Sequence, residues 1–146
     1  MRINGSYHLA TDRQKCYDLM QDPRVLEECM PGCQQLVKIS QDEYAMKMKM
    51  VLASISGLFD GKVQIKDQSS PNSFRLVVEG LGKIGFLKGD GFLEFKPNGH
   101  GTVINYEGDV QVGGTISAVG QRLLHTTTRM LIKRFFDNLS KALPKN

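Results

Sequence analysis

A long stripe of apolar residues at helical spacing runs through residues 115–143, directly after Gly113-Gly114 and before Pro144. Its members recur every three or four residues, the spacing that puts side chains on one face of an α-helix. About 28 residues at a rise of about 1.5 Å make a helix roughly 40 Å long, which is longer than a small domain is wide. One long C-terminal helix must therefore lie across another layer. The stripe consists of Ile116, Val119, Leu123, Leu124, Thr127, Leu131, Phe135, Leu139 and Leu143.

Strand patterns occupy most of the chain before that helix. Residues 43–51 are the clearest case, because large apolar side chains on one parity alternate with lysines on the other. This alternation is typical of a half-buried antiparallel strand. The apolar parity holds Tyr44, Met46, Met48 and Met50, and the polar parity holds Lys47 and Lys49.

The order of the predicted elements defines the fold class. Residues 53–61 interrupt the strand pattern, and the glycine-rich residues 80–91 indicate bulges and strong bending of a sheet. Two short helices are predicted after the first strand, near Thr11–Asp12 and at Asp22-Pro23. Turn-length links between sequential strands imply an antiparallel meander, so we expect one α+β domain over residues 1–146. The predicted strands are residues 2–9, 33–40, 43–51, 62–66, 73–80, 92–97 and 100–112.

Positive charge is concentrated on the last helix. The net charge is +4, and residues 118–146 hold six basic residues against the single acid Asp137. This segment therefore accounts for the whole positive excess. Such a helix face could meet phosphates, anionic lipid headgroups or an acidic partner protein, or it could simply face solvent.

Several kinds of site are disfavoured by the residues present. Cys29 and Cys33 lack the second pair that structural zinc requires, so we expect no metal and no cofactor. No nucleophile motif appears, and no nucleic-acid-binding motif accompanies the basic helix. Three cysteines without a secretion signal favour a reducing compartment, and no stretch is apolar enough to span a membrane.

The methionines leave two interpretations open. Met46, Met48 and Met50 share a strand face, and Met20, Met30 and Met130 could lie nearby. Methionine is flexible and polarisable, so it suits an adaptable pocket, but a close-packed core explains the same pattern. Sheet bending at residues 80–91 would separate the sheet from the helix and leave room for a ligand.

Three segments of the chain together resemble those of a known family. They are LEECMPGC at residues 26–33, GDVQVGG at residues 108–114, and GQRLL at residues 120–124 followed by Phe135-Phe136. In this order they resemble the CoxG family, which is named after carbon monoxide dehydrogenase and belongs to the START-like, or SRPBCC, helix-grip superfamily. The resemblance covers nearly the whole chain. It implies a helix-grip fold: a curved seven-stranded antiparallel sheet, two short helices after the first strand, and a long C-terminal helix over a hydrophobic cavity.

The resemblance also implies a function. Family members are non-enzymatic carriers of lipid-like molecules or membrane-recruitment factors, associated with molybdenum-containing carbon monoxide dehydrogenases and related oxidoreductases. We therefore expect a cytoplasmic protein, peripheral at the inner membrane face, that binds a quinone or lipid-like molecule as accessory to such an enzyme. The alternative is a cyclase- or hydratase-like enzyme of the same fold, which would need an ionisable residue deep in the pocket. Predicted parities place Glu94, Glu107 and Asp109 outward, which disfavours catalysis.

The predicted site has three parts and no catalytic residue. His125 is a candidate polar contact to the ligand, because it lies on the final helix beside the apolar stripe. The membrane or partner face is Arg122, Arg129, Lys133, Arg134 and Lys141, with Lys145 beyond it. The predicted cavity residues are Tyr44, Met46, Met48, Met50, Val63, Ile65, Phe74, Leu76, Val78, Phe95, Ile104, Tyr106, Leu124, Thr127, Met130, Leu131 and Phe135.

Overall fold

The computed structural model describes residues 1–143. The predicted helix end at Pro144 and the basic Lys145 lie outside the described residues. In chain order the elements are β1 (Arg2–Leu9), α1 (Arg13–Leu19), α2 (Pro23–Cys29), β2 (Cys33–Ser40), β3 (Glu43–Leu52), β4 (Ile55–Ser69), β5 (Ser73–Gly82), β6 (Gly85–Asn98), β7 (Gly101–Gly113), a 3₁₀ helix (Thr115–Val119) and α3 (Gln121–Ala142).

The strands form one antiparallel sheet in the order β1-β7-β6-β5-β4-β3-β2. Strands β2 to β7 follow one another as a meander, and β1 joins the far edge by pairing with β7. The inner face of the sheet turns toward the helices, and the outer face turns away from them. The predicted α+β class and the order of elements are confirmed.

Two glycine-containing stretches were assigned wrongly from the sequence. Residues 53–61 belong mostly to β4, because β3 and β4 are joined by a two-residue turn at Ala53-Ser54. Residues 80–91 likewise belong to β5 and β6, which are joined at Lys83-Ile84. Glycine weakens the apolar alternation that marks a strand, although the backbone here still forms a continuous ladder.

The last helix begins later than predicted. Thr115–Val119 is a 3₁₀ helix, and Gly120 follows it with a φ of 94°. That left-handed value is rare for other residues and ends the first helical segment before α3 starts at Gln121. The final helix thus has 22 residues. Ile116 and Val119 fit the helical spacing, but they belong to the shorter segment.

The two short helices close one end of the sheet. Asp12 caps α1 by accepting a hydrogen bond from the Lys15 amide at 2.9 Å, and Asp22 caps α2 by accepting one from the Arg24 amide at 3.0 Å. Such caps satisfy amide groups that have no partner within the helix. The rings of Tyr17, Phe74 and Phe95 pack against one another there, with centroids 5.4–5.5 Å apart.

Buried apolar residues form two separate clusters. The larger, the α1–α2 cluster, joins these helices, the sheet and the end of α3 through Phe135, Phe136 and Leu139. The smaller, the 3₁₀ cluster, consists of Leu52, Phe59, Ile116 and Leu124. Helix α3 therefore rests on packed side chains near both of its ends, and the region between the clusters is where a site could form.

Candidate functional site

Helix α3 is held to the rest of the domain at the flanks of the sheet. Its backbone approaches α2, β1 and β3, and the Asn138 side chain donates a hydrogen bond to the Cys29 carbonyl at 2.9 Å. The Tyr7 hydroxyl on β1 donates a hydrogen bond to the carboxylate of Asp137. The helix thus bridges a curved sheet with its attachments toward the sides.

Open space lies over the central strands. Gly89 and Gly91 of β6 pair with Val78 and Leu76 of β5, so they share the inner face. A Cβ atom at Gly89 would meet no other atom within 4 Å, and one at Gly91 would meet only the Glu107 carbonyl oxygen at 3.4 Å. In a filled core a Cβ normally touches several neighbours. The middle of the inner face is therefore not packed.

Half-buried apolar side chains surround this space. In the sheet, Val110 is the β7 partner of Gly89, while Ile3 and Leu76 lie in the same row as Gly91. On the helix, Leu131 lies between the two ends that pack. Ile3, Val110 and Leu131 are only half-buried and pack against neither apolar cluster. We call the space between these residues and Gly89 the hollow.

Aromatic rings form one side of this region. Tyr106 stacks on Phe136 at 5.9 Å between centroids, and Phe136 stacks on Tyr7 at 5.1 Å. The Tyr106 ring covers Gly5, because a Cβ there would lie 2.5 Å from the Tyr106 hydroxyl oxygen. Tyr106 is half-buried, so its ring and hydroxyl present an amphipathic surface to the inner face.

Most of the predicted cavity residues lie in packed core and not against open space. A side chain with no accessible surface cannot touch a ligand unless the core moves, so the cavity assignment is wrong for Phe74, Ile104, Phe95 and Tyr44, which are 0–1% exposed. Helices α1 and α2 cover that end of the sheet and bury these side chains in the larger apolar cluster. Buried residues with little surface left are Met46, Met48, Val63, Ile65, Leu124 and Phe135.

The rest of the predicted set is half-buried, apart from buried Thr127 and exposed Met130. Leu76, Val78, Tyr106 and Leu131 are half-buried. Met50 is also half-buried and packs against both clusters. Thr127 is a buried polar residue of α3, and the candidate polar contact His125 is half-buried on the same helix.

Met130 was predicted to line the cavity, but it faces away from the sheet. It is 41% exposed because it precedes Leu131 by one residue, which turns it about 100° around the helix and away from the sheet. Sequence reasoning also missed residues that border the hollow, namely Ile3, Gly89, Gly91 and Val110. Val110 has the same parity on β7 as Ile104 and Tyr106, but parity alone cannot distinguish a packed position from an open one.

The basic residues of α3 are exposed. This applies to all five members of the predicted face: Arg122, Arg129, Lys133, Arg134 and Lys141. Lys133 forms an ion pair with Asp137 at 3.0 Å along the helix.

Three carboxylates lie on the far side of the sheet from the hollow, and the three cysteine thiols are poorly suited to catalysis. Glu94, Glu107 and Asp109 share the outer face of the sheet, as their strand partners show. Burial raises the pKa of the thiols of Cys16, Cys29 and Cys33, which disfavours their thiolate forms. Within residues 1–143, no three His, Cys, Asp or Glu side chains are grouped so that they could hold a metal ion.

A polar groove of about 450 Å³ lies on the outer face. Its charges largely pair with one another: Arg75 donates to Asp90 at 2.7 Å, and Arg2 donates to Asp109 at 2.9 Å. The pairing with Arg75 lowers the pKa of Asp90. Because the groove lies on the opposite face of the sheet, it is separate from the hollow.

Comparison with known proteins identifies a family model and solved structures that match the chain. The family model for CoxG, a subunit of carbon monoxide dehydrogenase, matches residues 5–144. A conserved protein of Geobacillus kaustophilus is 30% identical, with a TM-score of 0.91 over 97% of this chain and 93% of that one. A START superfamily protein of Mycobacterium smegmatis is 11% identical, with a TM-score of 0.75 over 96% and 94%. No curated protein shows significant sequence similarity to the chain.

The fold is the START-like helix-grip fold, as the long helix across a curved antiparallel sheet and these structures show. Within that class, the chain belongs to the CoxG family. None of the helices in the described part of the chain is both long and apolar enough to cross a bilayer.

Proposed function

We propose that the protein binds a hydrophobic small molecule in the hollow and releases it unchanged. The observation that carries this proposal is the unpacked centre of the inner face, where a side chain at Gly89 would meet nothing within 4 Å. Family membership and fold support the same role. Ligand sites are typically mostly apolar with a few polar groups, and the hollow matches that description.

The walls favour a ligand that is largely apolar and has a small polar end. Val78, Val110 and Leu131 offer aliphatic surface, and burial of apolar ligand surface contributes about 25 cal/mol per Å² before ordering costs. The hydroxyls of Tyr106 on β7 and of buried Thr127 on α3 are the candidate polar contacts. A quinone or lipid-like molecule has this combination of an apolar body and oxygen acceptors.

The placement of the carboxylates supports binding without conversion. General acid–base chemistry needs an ionisable group within hydrogen-bond reach of the reacting atoms. Glu94, Glu107 and Asp109 lie on the opposite face of the sheet. A cyclase- or hydratase-like activity therefore has no specific support in the described residues.

The exposed basic face of α3 supports an accessory role. Arg122, Arg129 and Arg134 project from the helix that covers the hollow. A surface of this charge suits an acidic partner or anionic lipid. We propose that the protein serves a carbon monoxide dehydrogenase-type molybdenum oxidoreductase through this face, peripheral to the membrane.

Ligand extraction tests the binding proposal. The purified protein should carry a co-purifying hydrophobic molecule that native mass spectrometry detects on the folded chain and that organic solvent releases. Menaquinone added to stripped protein should raise its melting temperature, since a ligand that binds only the folded state stabilises it. The absence of both effects would rule out the quinone.

A further inference from the structure

Four exposed apolar side chains form a stripe on the outer face of the sheet. Val51, Leu58, Leu81 and Phe86 are between 46% and 70% exposed. Single exposed apolar residues are ordinary, but contiguous ones mark interaction sites. We call these four residues the outer-face stripe.

The strand register makes the stripe contiguous. Leu81 and Phe86 are direct cross-strand partners in the β5–β6 hairpin. Asp60 is the β4 partner of Leu81, which puts Leu58, two residues away, on the diagonal to Leu81. Lys49 is the β3 partner of Leu58, which places Val51 on the next diagonal. Such diagonal neighbours lie about 7–8 Å apart, so the stripe crosses four strands without a gap.

The stripe lies at the end of the sheet that carries two tight hairpin turns. Ala53-Ser54 joins β3 to β4, and Lys83-Ile84 joins β5 to β6. The turn residues Ala53, Ser54 and Lys83 are exposed or partly exposed. This end of the outer face therefore projects apolar side chains together with two hairpin tips.

Lysines flank the stripe. Lys49 lies opposite Leu58, Lys83 lies in the adjacent turn, and Lys47 is the next outer-face residue of β3. Asp60 and Glu79 are the nearest acids on this face, and their cross-strand partners are the lysines Lys47 and Lys88. The surroundings are thus positive, in a pattern that attracts anionic surfaces.

We propose that the outer-face stripe contacts an anionic lipid bilayer, with its apolar side chains in the interface and its lysines at the headgroups. Lysine stems can lie along apolar surface while their charges reach headgroups. A second copy would bring lysines against lysines across a symmetric contact, which disfavours self-association. Contact with a bilayer requires charge and apolar surface but no shaped pocket. The stripe has the first two features and contains no pocket. This inference does not depend on the hollow.

Vesicle sedimentation with the full chain tests it. The protein should bind vesicles of phosphatidylglycerol mixed with phosphatidylcholine, and phosphatidylcholine alone should retain much less. Leu58→Ser with Leu81→Ser should weaken binding about tenfold, because apolar burial in the interface is lost. Lys49→Glu with Lys83→Glu should weaken it at least about tenfold at low salt, in line with the attraction per basic residue.

A matched control separates the stripe from general stickiness. Val37 and Ile39 of β2 are similarly exposed but lie toward the β2–β3 turn at the other end, and Val37→Ser with Ile39→Ser should bind like the wild type. Retention of full binding by the Leu58→Ser, Leu81→Ser variant would overturn the proposal. Failure of the wild type to bind anionic vesicles would also overturn it. That includes the outcome in which the stripe joins two copies of the chain, so that the wild type is a dimer in solution and this variant is a monomer.

Discussion

Tyr7 on β1 donates a hydrogen bond to the carboxylate of Asp137 on α3, while its ring stacks on neighbouring Phe136 with centroids 5.1 Å apart. The bond raises the pKa of the Tyr7 phenol to about 12, with burial adding to the effect, and lowers the pKa of Asp137. One edge strand is thereby tied to the helix that covers the hollow.

Replacement of Asp137 should release this shift. In Asp137→Asn the pKa of Tyr7 should fall toward its ordinary value of about 10, because the acceptor charge that favours the neutral phenol is gone. Carbon-13 NMR of ring-labelled tyrosine measures it. Lys133→Ala is the control, since it removes the Lys133–Asp137 ion pair but leaves the phenol–carboxylate bond. A Tyr7 pKa near its ordinary value in the wild type would contradict the assignment.

The pH dependence of stability has a definite sign. A pKa raised on folding contributes stability that is complete below the unfolded value of about 10 and is lost as the pH rises through the folded value. The depressed pKa of Asp137 contributes stability that is lost as the pH falls below about 4. The stability difference between wild type and Tyr7→Phe, from urea unfolding, should therefore be largest at neutral pH and smaller at both extremes. An unchanged difference across pH would contradict this account.

Two leucines of α3 distinguish a packed core position from a position beside the hollow. Leu139 is fully buried, so Leu139→Ala should cost about 2–5 kcal/mol in the free energy of unfolding. Leu131 is half-buried and packs against neither apolar cluster, so Leu131→Ala should cost about 1 kcal/mol or less and should weaken ligand binding. Urea unfolding of the ligand-free proteins compares them. Equal losses of stability would mean that Leu131 lies in packed core.

Two glycines should respond oppositely to alanine. Gly120 has a φ of 94°, so Gly120→Ala should destabilise the protein by about 1 kcal/mol or more. Gly89 has no such φ and faces open space, so Gly89→Ala should be neutral or stabilise by up to about 1 kcal/mol, mainly through the unfolded chain. Thermal unfolding of both variants measures the contrast. A large destabilisation by Gly89→Ala would show that the space above Gly89 is filled.

The fold was largely predictable because burial of one face of each strand or helix makes apolar residues recur at a regular spacing in the sequence. Residues 2–9 and 33–40 match β1 and β2 in full, since one side of each strand meets the core and the other meets solvent. The periodicity failed where glycine replaced apolar residues, as in the 80–91 segment. It also failed at Ile116 and Val119, where one left-handed glycine separates two helical segments that share a face.

The site was predictable only in outline. Parity identifies which side chains face inward, and Leu76, Val78 and Tyr106 do so. Whether an inward residue meets a neighbour depends on the distance between α3 and the sheet, which is set by contacts such as Tyr7–Asp137. Phe74 and Leu76 have the same parity, yet Phe74 packs against Tyr17 of α1 and is fully buried, whereas Leu76 is only half-buried.

The most direct test of the hollow fills it. Gly89→Leu should place a side chain in open space without unfolding the domain, and Ala45→Leu on the outer face adds bulk away from it. Menaquinone should raise the melting temperature of the wild type and of Ala45→Leu but not of Gly89→Leu. An equal rise in all three proteins would show that the ligand binds elsewhere and would contradict the account.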